Sequence, residues 1–291
     1  MIGSHPEWLE CLRGTAPLVV SLPHTGTEIP AAVAARLVSP WLSRKDTDWH
    51  VERLYDFAAG LGATLLRTRL SRTVIDVNRD PSGTSLYPGR ATTELCPTTT
   101  FDGEPLYHPG QEPPPDEVAL RRAEWFDPYH DALANEVARL RGIYPRVVVY
   151  DCHSIRSAIP RLFVGELPHF NVGTHSGRSC EPKLTAAVEA AIEPSRFTRV
   201  TNGRFRGGFI TRNHGRPGDG VHAIQMELSV RSYLAEPAEP PDEANWPPEY
   251  DLKYAAPVRD VLSRVLEACL AFARGGAALG TDTDLSTRTL P

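Results

Sequence analysis

The chain is 291 residues long, with 41% hydrophobic and 23% charged residues and a formal net charge of −5. That balance is ordinary for a soluble globular protein and lacks the basic excess of a nucleic-acid or anionic-membrane binder. No stretch approaches the roughly 20 apolar residues of a membrane helix, and five cysteines without CxxC spacing argue against a disulfide framework.

The opening MIGSHPEWLECLRG has no basic region followed by an apolar core, so no signal peptide is expected. Reduced thiols then point to the cytoplasm. The 31 basic residues include only three lysines, Lys45, Lys183 and Lys253. A GC-rich genome accounts for most of such a bias, although guanidinium groups also suit planar carboxylates.

The first expected strand covers about 17–22, where Leu18-Val19-Val20-Ser21-Leu22-Pro23 leads into His24. A short helix is expected near 31–37. The apolar spacing of Val51, Leu54, Tyr55, Ala58 and Leu61 predicts a helix over 48–61, stopped by Gly62. Strands follow at 63–68 and 73–77. Residues 78–115 form a long segment rich in Pro, Gly and Thr, a length that is usually functional or disordered. A helix is expected over most of 116–142, with a break or kink at Pro128. The run Val147-Val148-Val149-Tyr150-Asp151-Cys152 predicts a second buried strand, ending before His153. Beyond it come a strand near Phe170, a helix near 181–192, a strand near 197–201 and a glycine-bearing segment near 206–212. A strand over 222–230, a proline-rich connector over 236–248 and a helix over 252–274 complete the pattern. Strands alternate with helices, so the expected class is α/β, a mixed and largely parallel central sheet flanked by helices. One domain is expected over 1–291, with its core at about 15–274 and a loose tail at 275–291.

The chemistry starts from the two strands that run into histidines. In open α/β sheets ligands bind beyond the carboxyl ends of the strands, so His24 and His153 can meet in one crevice and hold a metal ion. Catalytic zinc commonly takes three protein ligands and a water. A carboxylate is the expected third ligand, and Glu28, Asp46 and Asp48 are the candidates. Asp48 is preferred as the most constrained, although it also suits the N-cap of its helix. Along 222–230, Glu227 faces away from His222, Ile224, Met226 and Leu228. A carboxylate in mid-strand lies either on a solvent-facing edge or in a site, as a base with a raised pKa. Arg79 is expected just past a strand end, where a guanidinium can fork onto a substrate carboxylate. Arg156, Arg204, Arg206 and Arg212 lie in expected loops, the last three around Gly207-Gly208. Cys152 is a rival nucleophile, but strand alternation points it away from its neighbour His153. There is no GxGxxG, P-loop or GxSxG pattern.

Several segments, in order, resemble the N-formylglutamate amidohydrolase (deformylase) family from about Pro17 to Leu234. They are Ser21-Leu22-Pro23-His24-Thr25-Gly26, Asp46-Thr47-Asp48-Trp49-His50-Val51, Ser71-Arg72, Asn78-Arg79 and Thr100–Tyr107. Pro128-Tyr129-His130, Asp151-Cys152-His153-Ser154-Ile155, Asn202–Arg212 and Gln225-Met226-Glu227-Leu228 follow. The resemblance implies a zinc carboxypeptidase-like fold and hydrolysis of N-formyl-L-glutamate to formate and L-glutamate, a late step in one route of histidine breakdown. A related activity on another N-acyl amino acid or short peptide is the alternative. Zinc carboxypeptidases place the acid three residues after the first histidine, where this chain has Thr27, so Asp48 and Glu28 both stand as third ligand. In the implied site His24, His153 and the carboxylate hold one divalent ion, Zn2+ being expected, and Glu227 acts as base. Arg72 would stabilise the oxyanion, and Asn78 and Arg79, with Arg156, Arg206 and Arg212, would bind substrate. The expected partner is a small-molecule N-acyl amino acid, not nucleic acid or membrane.

Overall fold

A computed structural model of the chain describes residues 5–85, 89 and 91–275; of the tail expected at 275–291, all but residue 275 lies outside them. Seven strands form one sheet: β1 (Leu9–Leu12), β2 (Leu18–Leu22), β3 (Thr64–Thr68), β4 (Val147–Ile155), β5 (Phe170–Gly173), β6 (Arg199–Thr201) and β7 (Val221–Ser229). Their order is β1-β3-β2-β4-β7-β5-β6. The centre, β3-β2-β4-β7, is parallel, as is β5-β6; β1 on β3 and β5 on β7 are antiparallel. The mixed, largely parallel sheet is therefore as the alternation of elements predicts. β1 went unpredicted because four residues, Leu9-Glu10-Cys11-Leu12, carry too short a pattern.

The helices are α1 (Ala31–Ala34), α2 (Leu42–Lys45), α3 (Val51–Leu54), α4 (Pro115–Arg121), α5 (Asp127–Arg141), α6 (Pro182–Ile192), α7 (Phe209–His214) and α8 (Leu252–Ala273). Strand alternation divides the sheet into two apolar faces. Leu18, Val20, Val148, Tyr150, Cys152, Ile224, Met226 and Leu228 pack against α6 and α8. Val19, Val147, Val149 and Ala223 pack against α5, through Tyr129, Leu133, Val137 and Leu140. Burial on both faces explains the continuous apolar runs of β2 and β4. All five cysteines are free, and no helix among the described residues is long and apolar enough to cross a membrane.

Four local expectations are corrected. Residues 73–77 do not form a strand. Val74, Ile75 and Val77 are buried as expected, but the backbone turns instead: Val74 N–H donates to Ser71 O (2.9 Å), and Asn78 N–H to the Asp76 carboxylate (2.9 Å). An aspartate that accepts from the backbone two residues on replaces a ladder partner. The helix expected over 48–61 is interrupted. It consists of α3 and a 3-10 stretch, Asp56–Leu61, with His50 at φ 63° opening α3 and Gly62 at φ 77° closing the second piece. β4 runs four residues past Asp151, so His153 stands inside the strand. Pro128 does not break its helix. A π turn at Arg122–Phe126 widens the ladder just before it, relieving the clash of the ring with the preceding turn.

Gly26, two residues past His24, passes so close to Arg69 and Leu70 that an added Cβ would lie 2.3 Å from their backbone atoms. Neither chain can yield, because Gly26 bridges Ser71 in parallel. Gly26→Ala is expected to lower stability by about 1–3 kcal/mol, the usual cost of overpacking. A urea denaturation midpoint equal to that of the parent would contradict this packing.

Candidate active site

Three crossings at the carboxyl ends of β2, β4 and β7 bring the reactive groups together. His24 follows β2 through Pro23, and the pairing of Ser21 with Asp151 aligns β2 and β4. The Asp48 N–H donates to the His24 carbonyl (3.0 Å), which draws the carboxylate alongside the imidazole. His153 and Glu227 are register partners on β4 and β7, so both side chains leave the same face of neighbouring strands.

His24, Asp48 and His153, all buried, thus converge. The two Nδ1 atoms are 3.1 Å apart, and Asp48 Oδ2 lies 3.2 Å from that of His153 and 3.6 Å from that of His24. The opposite ring nitrogens meet carboxylates: His24 Nε2 lies 2.7 Å from Asp76 Oδ1, and His153 Nε2 3.0 Å from Asp151 Oδ2. These partners assign N–H to both Nε2 positions and turn the Nδ1 atoms inward, the arrangement of metal-ligating histidines backed by carboxylates. Two lone pairs facing each other beside an anionic oxygen require positive charge between them, from a shared proton or a metal ion. The second oxygen of Asp48 is buried without a hydrogen bond, as suits a ligand carboxylate. The three residues fit a divalent ion of zinc type.

Asp76 is fully buried and meets His24, Arg72 and the Asn78 N–H at hydrogen-bond distance. Burial pushes its carboxyl up, but Arg79, His24 and Arg72 outweigh that and hold it well below the usual carboxylate range. Arg72 Nη2 lies 2.6 Å from Asp76 Oδ2, Arg72 Nη1 3.6 Å from Asp48 Oδ1, and the guanidinium stacks on Phe101 at 4.8 Å. For Asp48, burial likewise raises the carboxyl, yet His153 and His24 hold it below the usual range. Glu227 behaves in the opposite way. Burial pushes it up to about 7, with His153 and Arg72 opposing and Asp48 adding to the rise. Its Oε2 accepts from Gln225 Nε2 at 3.0 Å. β7 is central rather than an edge, so the solvent-facing reading of Glu227 falls away.

The cleft over these groups is lined by His24, Arg72, Asn78, Arg79, His153 and Glu227, with Arg204, Phe205 and Thr93 on its walls. Asn78 Nδ2 sits 2.9 Å from His153 Nε2 and 3.4 Å from Asp151 Oδ2, while its Oδ1 accepts from Ile210 N–H (2.8 Å). Arg79 donates to Thr93 O (3.1 Å) and Oγ1 (3.0 Å). It stands in the turn at 76–79 rather than past a strand end.

Six candidates lie elsewhere. Glu28 is exposed and pairs with Arg69. Asp46 accepts from Phe101 N–H at 2.6 Å and is pushed up to about 6 by burial, apart from the imidazoles. Arg156, expected to bind substrate, turns to Asp102 at 2.6 Å. Arg206 is exposed, and Arg212 donates to Gly207 O at 2.9 Å; neither lines the cleft. Loop arginines near a glycine pair share sequence proximity, but only the chain path decides which one faces inward. Cys152 points into the α8 face, where burial raises its thiol well above the usual range.

Asp76, Asp151, Gln225 and Arg204 were not assigned roles from the sequence. Asp151 and Gln225 could have been found, since each lies two residues before a site residue on the same strand face. Asp76 could not, because a turn delivers it.

The sequence profile of the N-formylglutamate amidohydrolase family matches residues 16–234. A Pseudomonas aeruginosa protein named N-formylglutamate deformylase is 44% identical over 92% of this chain and 98% of its own length. A Pseudomonas putida protein of the same name is 42% identical over 89% and 94%. The crystal structure of an N-formylglutamate amidohydrolase from Ralstonia eutropha superposes with a TM-score of 0.75 at 24% identity, covering 92% of this chain and 99% of that one, and so shares the fold. On the family profile and these two relatives together, the chain belongs to the N-formylglutamate amidohydrolase family.

Proposed function

We propose that this chain hydrolyses N-formyl-L-glutamate to formate and L-glutamate. The convergence of His24, Asp48 and His153 below Glu227 carries the reading, and the names of its relatives supply the substrate. His24, Asp48 and His153 would hold one divalent ion, zinc being the ion their donor set suits. Such an ion, when bound, polarises a carbonyl and makes water nucleophilic near neutral pH.

The chain's own groups do the rest. Glu227, raised by burial toward neutrality, takes the proton of the attacking water and returns it to the departing amine nitrogen. Arg72 is anchored by Asp76 at 2.6 Å and stabilises the negative charge that develops on the formyl oxygen. Asn78 donates to Asp151, the carboxylate behind His153, and docks α7 through Ile210. Arg79 grips the α-carboxylate, held in place by Thr93.

Three outcomes are expected. A strong chelator abolishes formate release, zinc restores it, and Asp48→Asn copurifies with less than one metal ion per chain; full activity in a preparation shown by elemental analysis to lack metal would end the metal reading. Glu227→Gln keeps the metal content and lowers kcat by about 10²- to 10⁴-fold, the worth of a positioned base. A kcat near that of the parent would remove Glu227 from the chemistry. Cys152→Ala keeps kcat within about threefold, because its thiol faces the opposite side of the sheet; loss of turnover in a folded variant would revive the thiol.

A further inference from the structure

The substrate proposed above has two carboxylates, and the arrangement of cations in the cleft treats them unequally. Arg72 and Arg79 belong to one turn and share one counter-ion, Asp76, at 2.6 and 3.7 Å. They stand beside the imidazole pair, where the scissile amide must lie. Of the two substrate carboxylates, the α-carboxylate is the one within reach, since a single carbon separates it from the amide nitrogen. The side-chain carboxylate lies three bonds from the α-carbon, against one for the α-carboxylate, and needs another partner in the same cleft.

A third guanidinium lines that cleft, on a separate segment. Arg204 follows β6, and its fork is fixed by donation from Nε to Leu162 O (3.1 Å) and from Nη2 to Ala91 O (3.2 Å). The guanidinium also packs over the Phe205 ring at 5.4 Å. The base of its segment is tied down by Asn202, in the left-handed region at φ 54°. Asn202 Oδ1 accepts from Thr174 N–H at 2.9 Å and Ser176 N–H at 3.2 Å, and its Nδ2 donates to Thr174 Oγ1 at 2.8 Å. Phe101, Ile155, Leu162 and Phe205 line the same cleft and offer apolar surface for methylene groups.

We infer that Arg204 binds the side-chain carboxylate of the substrate and so selects N-acyl derivatives of acidic amino acids. This assignment rests on the N-formylglutamate reading and sharpens it. A cation held in place before binding loses little freedom on gripping its ligand, and a guanidinium matches a carboxylate with two parallel hydrogen bonds. The competing role is a staple that joins the loops carrying Ala91 and Leu162. A staple is blind to the charge of the substrate side chain; a carboxylate receptor is not.

The test measures kcat/KM for N-formyl-L-glutamate and for N-formyl-L-glutamine, which has the same shape without the charge, in the parent protein, Arg204→Gln and Arg204→Lys. The parent is expected to favour the glutamate derivative. Arg204→Gln is expected to lose about 10- to 100-fold on that substrate, the worth of a charged hydrogen-bonded contact, with a far smaller loss on the glutamine derivative, so the preference collapses. Arg204→Lys, which keeps charge without the fork, is expected to fall between. Equal losses on both substrates in either folded variant would overturn the assignment and leave Arg204 a staple. Should Arg204→Gln fail to fold, the preference shown by Arg204→Lys decides: narrowed supports the assignment, unchanged overturns it. A parent protein that releases formate from neither compound would instead overturn the N-formylglutamate reading, and this assignment with it.

Discussion

Two imidazole nitrogens 3.1 Å apart, with a buried carboxylate oxygen between 3.2 and 3.6 Å from each, set the condition that the surrounding structure meets. Such a cluster of lone pairs is costly away from water unless its outer atoms are fully partnered and its centre carries positive charge. Asp76 and Asp151 partner the outer nitrogens, and each is itself held from behind. Arg72 and the Asn78 N–H take up Asp76. Ser21, bonded in turn to Tyr129 Oη at 2.9 Å, donates to Asp151 at 3.2 Å. The histidines therefore have little freedom to rotate, and the burial of several charges becomes tolerable because each has a named counterpart.

The sheet gives this cluster its place. The α8 face is mainly apolar along β2, β4 and β7, with polar His222 and Ser154 only near its ends. The α5 face changes character toward the carboxyl ends, from Val149 and Ala223 to Asp151, His153, Gln225 and Glu227. Parallel pairing of β4 with β7 puts Glu227 beside His153 at a strand spacing of about 5 Å. Antiparallel β5 then covers the outer edge of β7, keeping Glu227 from water and raising its proton affinity toward neutrality. The same burial that would be a defect in a structural strand is here what suits a carboxylate to proton transfer.

Much of this was legible in the residues. The runs ending near His24 and His153 read as buried parallel strands, and the alternation across 222–230 placed Glu227 on the face opposite Met226 and Leu228. Asp48 was preferred over Glu28 and Asp46 for its constraint, and it is Asp48 whose carboxylate meets the imidazoles. What failed to be legible has one common cause. The turn at 73–79 looked like a strand because Val74, Ile75 and Val77 are apolar. Burial shows in composition, whereas the side-chain hydrogen bonds that allow a buried segment to turn do not. The arginines failed for a related reason: Arg156, Arg204, Arg206 and Arg212 are chemically equal, and only Arg204 reaches the cleft.

By itself, then, the order of residues determined the class of fold, the two faces of its central strands and the two histidines that close them, since periodicity and residue chemistry are local properties. Only the tertiary structure decided which carboxylates back the imidazoles and which arginine enters the cleft. Those choices depend on the paths of turns whose polar groups are satisfied by residues dozens of positions away, and no local pattern encodes such distances.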